Sequence, residues 1–567
     1  MPPLEDLLRA MKPPRIPKLP AKAKASLLLL TATGLTFQAA SASDLLSFAR
    51  HPSLASPPSN FDSEVGALID GVVRSSRAVS TIAITVVDYE LSLRGLSRDS
   101  EDYFRKLSEV HSRSAKRILR LCEANKGFYV KAGQFVAAIR QVPEEYISKL
   151  SSLQDKAVPC SFKAIRDVLI NNFGQDLSCK FCSFDEVPIA AASIAQVHHA
   201  VLKDSHEVAV KVQYPGLDRQ MKLDTMIMSF LSKSITWLFP EYRFDWLVGE
   251  FVKAISLELD FIQEGKNAER TAKNFISNDK VKVPKVVWEL TTSQVLTMEF
   301  CRGNKVDDSE YLAKMGIDPT KVARALVEVF AEMIFVHGFV HGDPHPGNIL
   351  VSPEGKSGFC LVILDHGIYK QLDEQFRMDY CELWKALIFS DSARVQQLSE
   401  RFGVGKYSRY FPLILTGRTI DSKSALGEAM SVEEKRKLKK DLKSLRMEDV
   451  SSFMEALPSD FLIVIRADGL LRATIRKLRA SQRVRLLTYA RFALYGLFQE
   501  RTTQSGSAAA GFFSKLRRSL NYLQLRAALG VLELLSWMER TRRLLFEIVN
   551  LLYVTAGQFV RGLYLTS

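Results

Sequence analysis

The chain has 567 residues, of which 47% are hydrophobic and 25% are charged. This length and composition allow a large buried core and more than one compact unit, and they exclude a disordered protein. The formal net charge of +14 fits an anionic membrane surface, a phosphate ligand or an organelle resident. Nucleic acid is a disfavoured partner, because no zinc-finger spacing or RNA-binding aromatic signature accompanies the charge. The 7 scattered cysteines argue against a secreted disulfide framework.

Residues 1–48 are predicted to be a targeting segment or membrane anchor. Basic residues occur without an acid between Asp6 and Asp44, and 19 uncharged residues lie between Lys24 and Asp44. That stretch is long enough to span a bilayer, but it is diluted by Ser, Thr, Gln and Gly. An organelle presequence, a single membrane anchor and a secretory signal all fit the pattern, and the free-thiol composition disfavours the third.

The remaining chain changes periodicity twice. Residues 60–178 have the three- and four-residue apolar spacing of helices and predict a helical extension. Residues 179–300 contain short β-branched segments, predicted to form a small antiparallel sheet: AQVHHAVL, EVAVKVQY, VKVPKVVWEL and SQVLTMEF. Helical patterns return over residues 301–500. This order predicts an α+β, protein-kinase-like fold of two lobes, with a helical N-terminal extension and additional C-terminal helices.

The chemistry is concentrated just after the junction of the two predicted lobes. FVHGDPHPGNILV starts at Phe339, and LVILDHG follows from Leu361. Asp343 is a candidate catalytic base, while Asn348 and Asp365 supply oxygen atoms of the kind that Mg²⁺ prefers. The sequence therefore predicts a site for ATP and Mg²⁺.

A strand ending in VAVK places Lys211 where an ammonium group could neutralise nucleotide phosphates. Such a lysine needs a carboxylate from a nearby helix, and Glu258 and Glu264 are the candidates. Both lie farther along the chain than in ordinary kinases, which predicts an inserted helical piece over residues 219–251.

The loop expected to cover the phosphates is rich in alanine. No glycine occurs between Gly174 and Gly216, and the corresponding place reads PIAAASIAQVH. Alanine disfavours a positive φ, so the loop is predicted to be stiffer than a glycine-rich one. A plain apolar turn fits the same letters. The candidate nucleotide-binding residues here are Ala190, Ala191, Ala192 and Ser193.

Four motifs in this order resemble the UbiB, or aarF-domain, family of atypical protein-kinase-like proteins. They are Lys131-Ala-Gly-Gln134, the alanine-rich loop, Glu258-Leu-Asp260 and HGDPHPGN. The DHG at residues 365–367 further resembles the eukaryotic branch linked to mitochondrial lipid homeostasis.

The resemblance implies a role for each matched residue. Lys211 would contact the nucleotide phosphates, Asp343 would be the catalytic-loop acid, and Asn348 and Asp365 would hold Mg²⁺. Glu264 is expected to pair with Lys211 and Glu258 with Lys131, although the exchanged pairing stays open. The other implied residues are Lys131 and Gln134 pointing into the active site, Asp260 beside them, and Glu299 at the nucleotide.

The resemblance also implies a function and a location. We expect an ATP-binding kinase or ATPase that supports organelle lipid or quinone metabolism and does not phosphorylate proteins in trans. The expected location is mitochondrial, associated with the inner membrane, with a plastid as the alternative. Because HGDxHxxN also occurs in small-molecule kinases, such a kinase is a second hypothesis, and a nucleotide-binding pseudokinase scaffold is a third.

Three further features of the sequence concern His366, a basic cluster and the C-terminal segment. His366 replaces the usual Phe after the metal-binding Asp, where a buried and hydrogen-bonded His is favoured over a titrating one. A basic cluster could meet anionic lipid headgroups, although pairing within the chain is favoured. The cluster consists of Arg466, Arg472, Arg476, Lys477, Arg479, Arg483 and Arg485. Residues 512–567 are apolar but interrupted by charges, which predicts an amphipathic or packing helical segment.

Overall fold

The computed structural model describes most of the chain between residues 60 and 499. The described ranges are 60–97, 100–139, 142–154, 159–238, 245–355, 358–419 and 457–499, with scattered positions in 431–456 and 523–545. The predicted targeting segment lies outside the described residues, and so does most of the predicted C-terminal segment.

The described ranges, apart from the scattered positions, contain fifteen α-helices. They are α1 Asn60–Ser92, α2 Glu101–Asn125, α3 Gly127–Ile139, α4 Glu144–Leu150, α5 Phe162–Phe173, α6 Leu217–Leu238, α7 Asp245–Glu258, α8 Phe261–Asn274, α9 Ser309–Lys314, α10 Pro319–Glu332, α11 Glu374–Ile388, α12 Ser392–Arg401, α13 Phe411–Thr416, α14 Ser459–Lys477 and α15 Gln482–Gln499. The strands in the same ranges are β1 Phe181–Phe184, β2 Ala190–Ala191, β3 Ala195–Leu202, β4 Glu207–Gln213, β5 Val281–Lys282, β6 Val295–Glu299, β7 Asn304–Lys305, β8 Phe339–His341, β9 Ile349–Ser352, β10 Cys360–Ile363 and β11 Tyr369–Gln371.

The extension consists of α1 to α5. The apolar pattern runs on through α2 and α3, but the helix ends at Lys126, whose φ is 54°. The N–H of Lys126 closes the last turn by donating to the carbonyl of Cys122. Thus a pattern that looks like one long helix forms two, and α3 can turn toward the lobes.

The small lobe is built on a 5-stranded sheet in the order β1-β3-β4-β6, with β2 paired to β3. Within β4, Val208, Val210 and Val212 are buried on one face, against Ile165 and Leu169 of α5. Burial of each such side chain stabilises the fold by roughly 1.5–3 kcal/mol. Because side chains alternate along a strand, Lys211 lies on the opposite face, toward the cleft.

One predicted strand of this sheet is wrong. Only Val281 and Lys282 of VKVPKVVWEL form a strand, and that strand pairs parallel to β10 in the large lobe. Pro284 lacks an N–H and interrupts the segment. Beyond it, Val286 makes an isolated bridge to Met298 of the small-lobe sheet.

The predicted inserted piece forms the two helices α6 and α7, and α7 continues to Glu258. It shares one apolar core with the extension. Phe251 and Ile255 of α7 pack with Phe128 of α3 and with Leu296 of the small-lobe sheet. The extension, the insertion and the small lobe are therefore joined by a common core.

The large lobe has a separate helical core. Trp384 of α11, Phe461 of α14 and Tyr489 of α15 are fully buried in it. Its strands form a 4-stranded sheet in the order β5-β10-β9-β7 and a 2-stranded sheet of β8 and β11. The predicted α+β, two-lobed kinase-like fold with a helical extension is confirmed.

Candidate active site

Lys211 of β4 faces Glu264 of α8. Its ammonium lies 2.6 Å from Glu264 Oε1, and the Glu264 side chain is 1% exposed. Burial raises the pKa of Glu264 against the opposing effect of Lys211. Burial alone would lower the pKa of Lys211, but the carboxylates of Asp365 and Glu264 outweigh it and raise that pKa. The site therefore holds a charged ammonium between two carboxylates. The alternative pairing of Lys211 with Glu258 is not the one observed.

The loop that carries Asp343 is fixed by backbone contacts. The backbone N–H of Gly342 donates to the carbonyl of Ile368. The side-chain amide of Asn348 donates to the backbone carbonyl of Asp343 at 3.1 Å. A Cβ on Gly342 would come within 2.9 Å of Ile463 in α14. Glycine at this position thus lets α14 pack directly on the loop.

Asn348 and Asp365 lie side by side at the ends of two paired strands. Ile349 of β9 pairs with Ile363 of β10, and the N–H of Leu364 donates to the carbonyl of Asn348 at 2.9 Å. Asp365 Oδ1 accepts from the N–H of Gly367, while its Oδ2 lies 3.6 Å from Lys211 Nζ. Two antiparallel strands therefore bring together residues that are 17 positions apart.

The donor chemistry at this point fits Mg²⁺. Burial opposes ionisation of Asp365, but Lys211 and the Gly367 N–H hold the pKa of this carboxyl well below its ordinary value. An ionised carboxylate and an amide oxygen are hard ligands of the kind that Mg²⁺ takes. Asn348 and Asp365 could hold the ion.

His366 is buried and hydrogen bonded at both ring nitrogens. Its Nε2 donates to the carbonyl of Ile363, and its Nδ1 accepts from the Tyr369 hydroxyl at 3.1 Å. Burial lowers the pKa of His366 to about 3, and the neighbouring His341 contributes to this. The residue is a neutral, buried side chain next to Asp365.

The lysine of the extension enters the same cluster. Lys131 of α3 lies 2.7 Å from Glu258 Oε2 at the end of α7. Burial would lower the pKa of Lys131, but Glu258 and Asp343 raise it. A Cβ on Gly133 would overlap the side chain of Leu153, so glycine lets α3 pack closely on the turn Ser151–Gln154.

Gln134 and Asp260 occupy positions that the sequence did not predict. The Gln134 amide donates to the carbonyl of Leu153 at 2.9 Å, within the extension. Asp260 is exposed and accepts from the N–H of Ile262, as the N-cap of α8. The structure therefore gives both side chains a role in shaping elements, and Asp260 acts on the site through the helix that carries Glu264.

The alanine-rich segment is a hairpin at the edge of the small lobe. Ala190 and Ala191 pair with Val197 and Gln196, and the N–H of Ala192 donates to the carbonyl of Ala195. Ser193 is buried at the tip. The predicted loop is thus a short, hydrogen-bonded turn.

Glu299 ends β6, at the passage between the lobes. Its carboxylate lies 2.9 Å from Lys282 Nζ, and this ion pair joins the small-lobe sheet to β5. Its predicted contact with nucleotide stays a prediction.

The sequence missed one residue of this site. Arg466 of α14 lies 3.9 Å from Asp343 Oδ2 and 5.3 Å from the centroid of the Phe135 ring in α3. From the sequence, Arg466 is predicted only to belong to the basic cluster. The signal that could have found it is the absence of Lys and Arg from residues 339–351.

Several other members of the basic cluster form ion pairs with acidic residues of the same chain. Asp468 accepts from both Arg472 and Arg485, and these guanidinium groups also donate to the carbonyl of Leu415. Lys477 pairs with Asp307 at 2.8 Å. These three side chains show the intramolecular pairing that the sequence favoured over lipid contact. In the described part of the chain, no helix is long and apolar enough to cross a membrane.

The chain is similar to several known proteins. The ABC1 atypical kinase-like domain matches residues 152–399. AarF domain-containing protein kinase 1 of Mus musculus is 39% identical over 487 residues, which cover 83% of this chain and 93% of the mouse protein. The chain belongs to the UbiB, or aarF-domain, family.

A second relative and a solved structure are also similar to this chain. AarF domain-containing protein kinase 1 of Gallus gallus is 41% identical over 406 residues, covering 71% of this chain and 78% of that protein. The complex of Rv3197 with erythromycin from Mycobacterium tuberculosis has 23% identity and a TM-score of 0.44, and covers 68% of this chain and 99% of that one. As a member of this family the chain is an atypical kinase-like protein.

Proposed function

We propose that this UbiB-family protein binds ATP with Mg²⁺ and transfers or hydrolyses the γ-phosphoryl group in support of organelle lipid or quinone metabolism. The observation that carries the proposal is the position of Lys211. Its ammonium lies 2.6 Å from Glu264 and 3.6 Å from Asp365, and Leu364, the residue before Asp365, is hydrogen bonded to the Asn348 carbonyl. A cation held by one carboxylate, beside two oxygen ligands for a divalent ion, is the arrangement that phosphoryl transfer requires.

Each residue has a defined task in this reaction. Lys211 binds phosphate oxygens of the nucleotide, and Asp343 accepts the proton of an acceptor hydroxyl or of water. The acceptor oxygen bonds to the γ-phosphorus while the bond to the bridging oxygen breaks, and its electron pair stays on ADP. Catalysis then rests on positioning and on stabilisation of charge.

Asn348 and Asp365 would hold Mg²⁺. When bound, the ion neutralises charge on the phosphate oxygens and on the departing ADP. Lys211 and the backbone N–H of Gly367 keep Asp365 ionised and oriented for this task.

The extension favours a small acceptor over a polypeptide. Lys131 of α3 is bound to Glu258, and Phe135 of the same helix packs on Arg466 of the large lobe. Helix α3 thus contacts both sides of the cleft entrance, where an extended peptide would otherwise lie. This observation favours a small-molecule or lipid kinase as the second candidate function.

The proposed location is the mitochondrion, with the inner membrane as the associated surface and a plastid as the alternative. It draws support from the basic charge of the chain and from the composition of residues 1–48. Fractionation of the full-length chain, followed by protease protection and carbonate extraction, tests both the compartment and the mode of membrane association.

Radiolabelled ATP incubated with the full-length protein and an organelle lipid extract tests the reaction. A labelled lipid or metabolite supports a phosphotransferase, and release of free phosphate alone supports an ATPase. Nucleotide binding without either product would point to the pseudokinase scaffold.

A further inference from the structure

The catalytic loop carries no cationic side chain of its own. Residues 339–351 contain neither Lys nor Arg. Phosphoryl transfer spreads negative charge over the oxygens of the transferring group, and a cation must meet that charge. Any side-chain cation that joins the metal in this role must therefore come from another part of the chain.

Three cations of this site, Lys131, Lys211 and Arg466, differ in how close their nearest carboxylate oxygen lies. Lys211 has a carboxylate oxygen at 2.6 Å, and Lys131 has one at 2.7 Å. The carboxylate oxygen nearest to Arg466 is Asp343 Oδ2, at 3.9 Å. Of the three cations, Arg466 is thus the one whose nearest carboxylate oxygen is farthest away.

The Arg466 side chain is enclosed and incompletely hydrogen bonded. It is 14% exposed, and its Nε is buried without a hydrogen-bond partner. A buried N–H that donates to nothing destabilises the folded state. Such a cost is recovered when an anionic acceptor arrives, because charge-assisted hydrogen bonds to phosphate are strong and Arg can make two in parallel.

Contacts on both sides of Arg466 fix its position relative to the loop that carries Asp343. Ile463, one helical turn earlier, is close to Gly342, and Asp460 at the start of α14 binds Lys370 at 2.7 Å. On the other side, the Phe135 ring lies 5.3 Å from the guanidinium carbon. The guanidinium is therefore placed at the catalytic acid by two rigid elements.

We propose that Arg466 contacts the transferring phosphoryl group, as a catalytic residue supplied by α14. This inference rests on the proposed function and deepens it. As the acceptor oxygen bonds to phosphorus and its proton passes to Asp343, the guanidinium binds oxygens of the transferring group, while the broken bond leaves its electron pair on ADP. Because the group it binds is present in ATP and absent from ADP, Arg466 discriminates between the two nucleotides.

Affinity for MgATP and MgADP, measured by calorimetry on the full-length chain, tests the inference. Arg466→Gln is expected to lower affinity for MgATP by about tenfold or more while affinity for MgADP stays within about twofold. Turnover should fall by about a hundredfold or more. Arg476→Gln is the matched control, since Arg476 lies on the same helix but is exposed, and both affinities should be unchanged.

A second variant keeps the test decisive if the Gln variant does not fold. Arg466→Lys retains the positive charge but loses the planar fork, so the ratio of the MgATP and MgADP affinities should fall by about threefold or more. A ratio equal to that of the unmodified chain in either folded variant overturns the role of Arg466, even if turnover is lost. An unmodified chain that binds neither nucleotide refutes the proposed function instead.

Discussion

The ammonium of Lys211 lies between Glu264 Oε1 at 2.6 Å and Asp365 Oδ2 at 3.6 Å, so one side chain of β4 joins a small-lobe helix to the proposed metal ligand. The closer carboxylate is almost fully buried and the farther one is 37% exposed. Lys211 is thus held by Glu264, while Asp365 keeps access to the cleft.

Asp365→Asn should abolish Mg²⁺-dependent stabilisation by ATP. The amide carries no charge, so it binds the cation weakly and no longer balances Lys211. Thermal unfolding with and without MgATP checks this, with Asp279→Asn as an exposed control of the same chemical change. Stabilisation by MgATP that survives in Asp365→Asn would contradict the metal assignment.

Glu264→Gln should reduce nucleotide affinity by about tenfold or more, because the ammonium of Lys211 loses its closest counter-ion. Released from Glu264, Lys211 is expected to move toward Asp365 and compete with the metal. Glu269→Gln is the matched control on the same helix, since its exposed carboxylate accepts a hydrogen bond from Trp288 that an amide oxygen can also accept. A larger loss of affinity in Glu258→Gln than in Glu264→Gln would reverse the assigned pairing.

Gly133→Ala should destabilise the extension by about 1–3 kcal/mol, because the added Cβ meets the Leu153 side chain and comes within 3.2 Å of Cys122 Sγ. Urea unfolding measures the loss. Leu153→Ala destabilises the chain by itself, but in the double variant the new methyl group has room. The two changes should therefore cost less together than the sum of their separate effects, and additive losses would show that this contact does not constrain residue 133.

Asp468→Asn should cost about 3–5 kcal/mol of unfolding free energy, since Arg485, which is 2% exposed, loses a charged partner inside the large lobe. Asp307→Asn removes the partner of Lys477, which is 64% exposed, and should cost about 1 kcal/mol or less. Urea unfolding of both variants at neutral pH compares them, and equal losses would contradict the buried role of Asp468.

The same pair has a defined pH dependence. Burial opposes ionisation of Asp468, but Arg472 and Arg485 hold the pKa of this carboxyl below its ordinary value. The folded state therefore binds the proton less readily than the unfolded state, so the stabilisation is complete above about pH 4 and is lost as the pH falls further. Asp468→Asn should lack this acid-side loss, which unfolding measured across that range detects.

Part of the site that the sequence predicted is encoded by short spacings. Asp343 and Asn348 lie on one loop, and β9 and β10 are neighbours along the chain, so local pairing brings Asp365 to Asn348. Arg466 was missed because its approach to Asp343 depends on how a distant helix packs. VKVPKVVWEL was assigned to the wrong sheet, since β-propensity predicts a strand but does not identify the strand it will pair with.

The strand β5 constrains how the two lobes can move. The chain leaves α8 in the small lobe, joins the large-lobe sheet at Val281, returns at Val286 to bridge Met298, and crosses again between Glu299 and Asn304. These three successive passages act as parallel tethers across the gap. Rotation that widens the cleft must bend the chain at residues 275–280, 283–285 and 300–303, so these three passages set the axis about which the lobes can open.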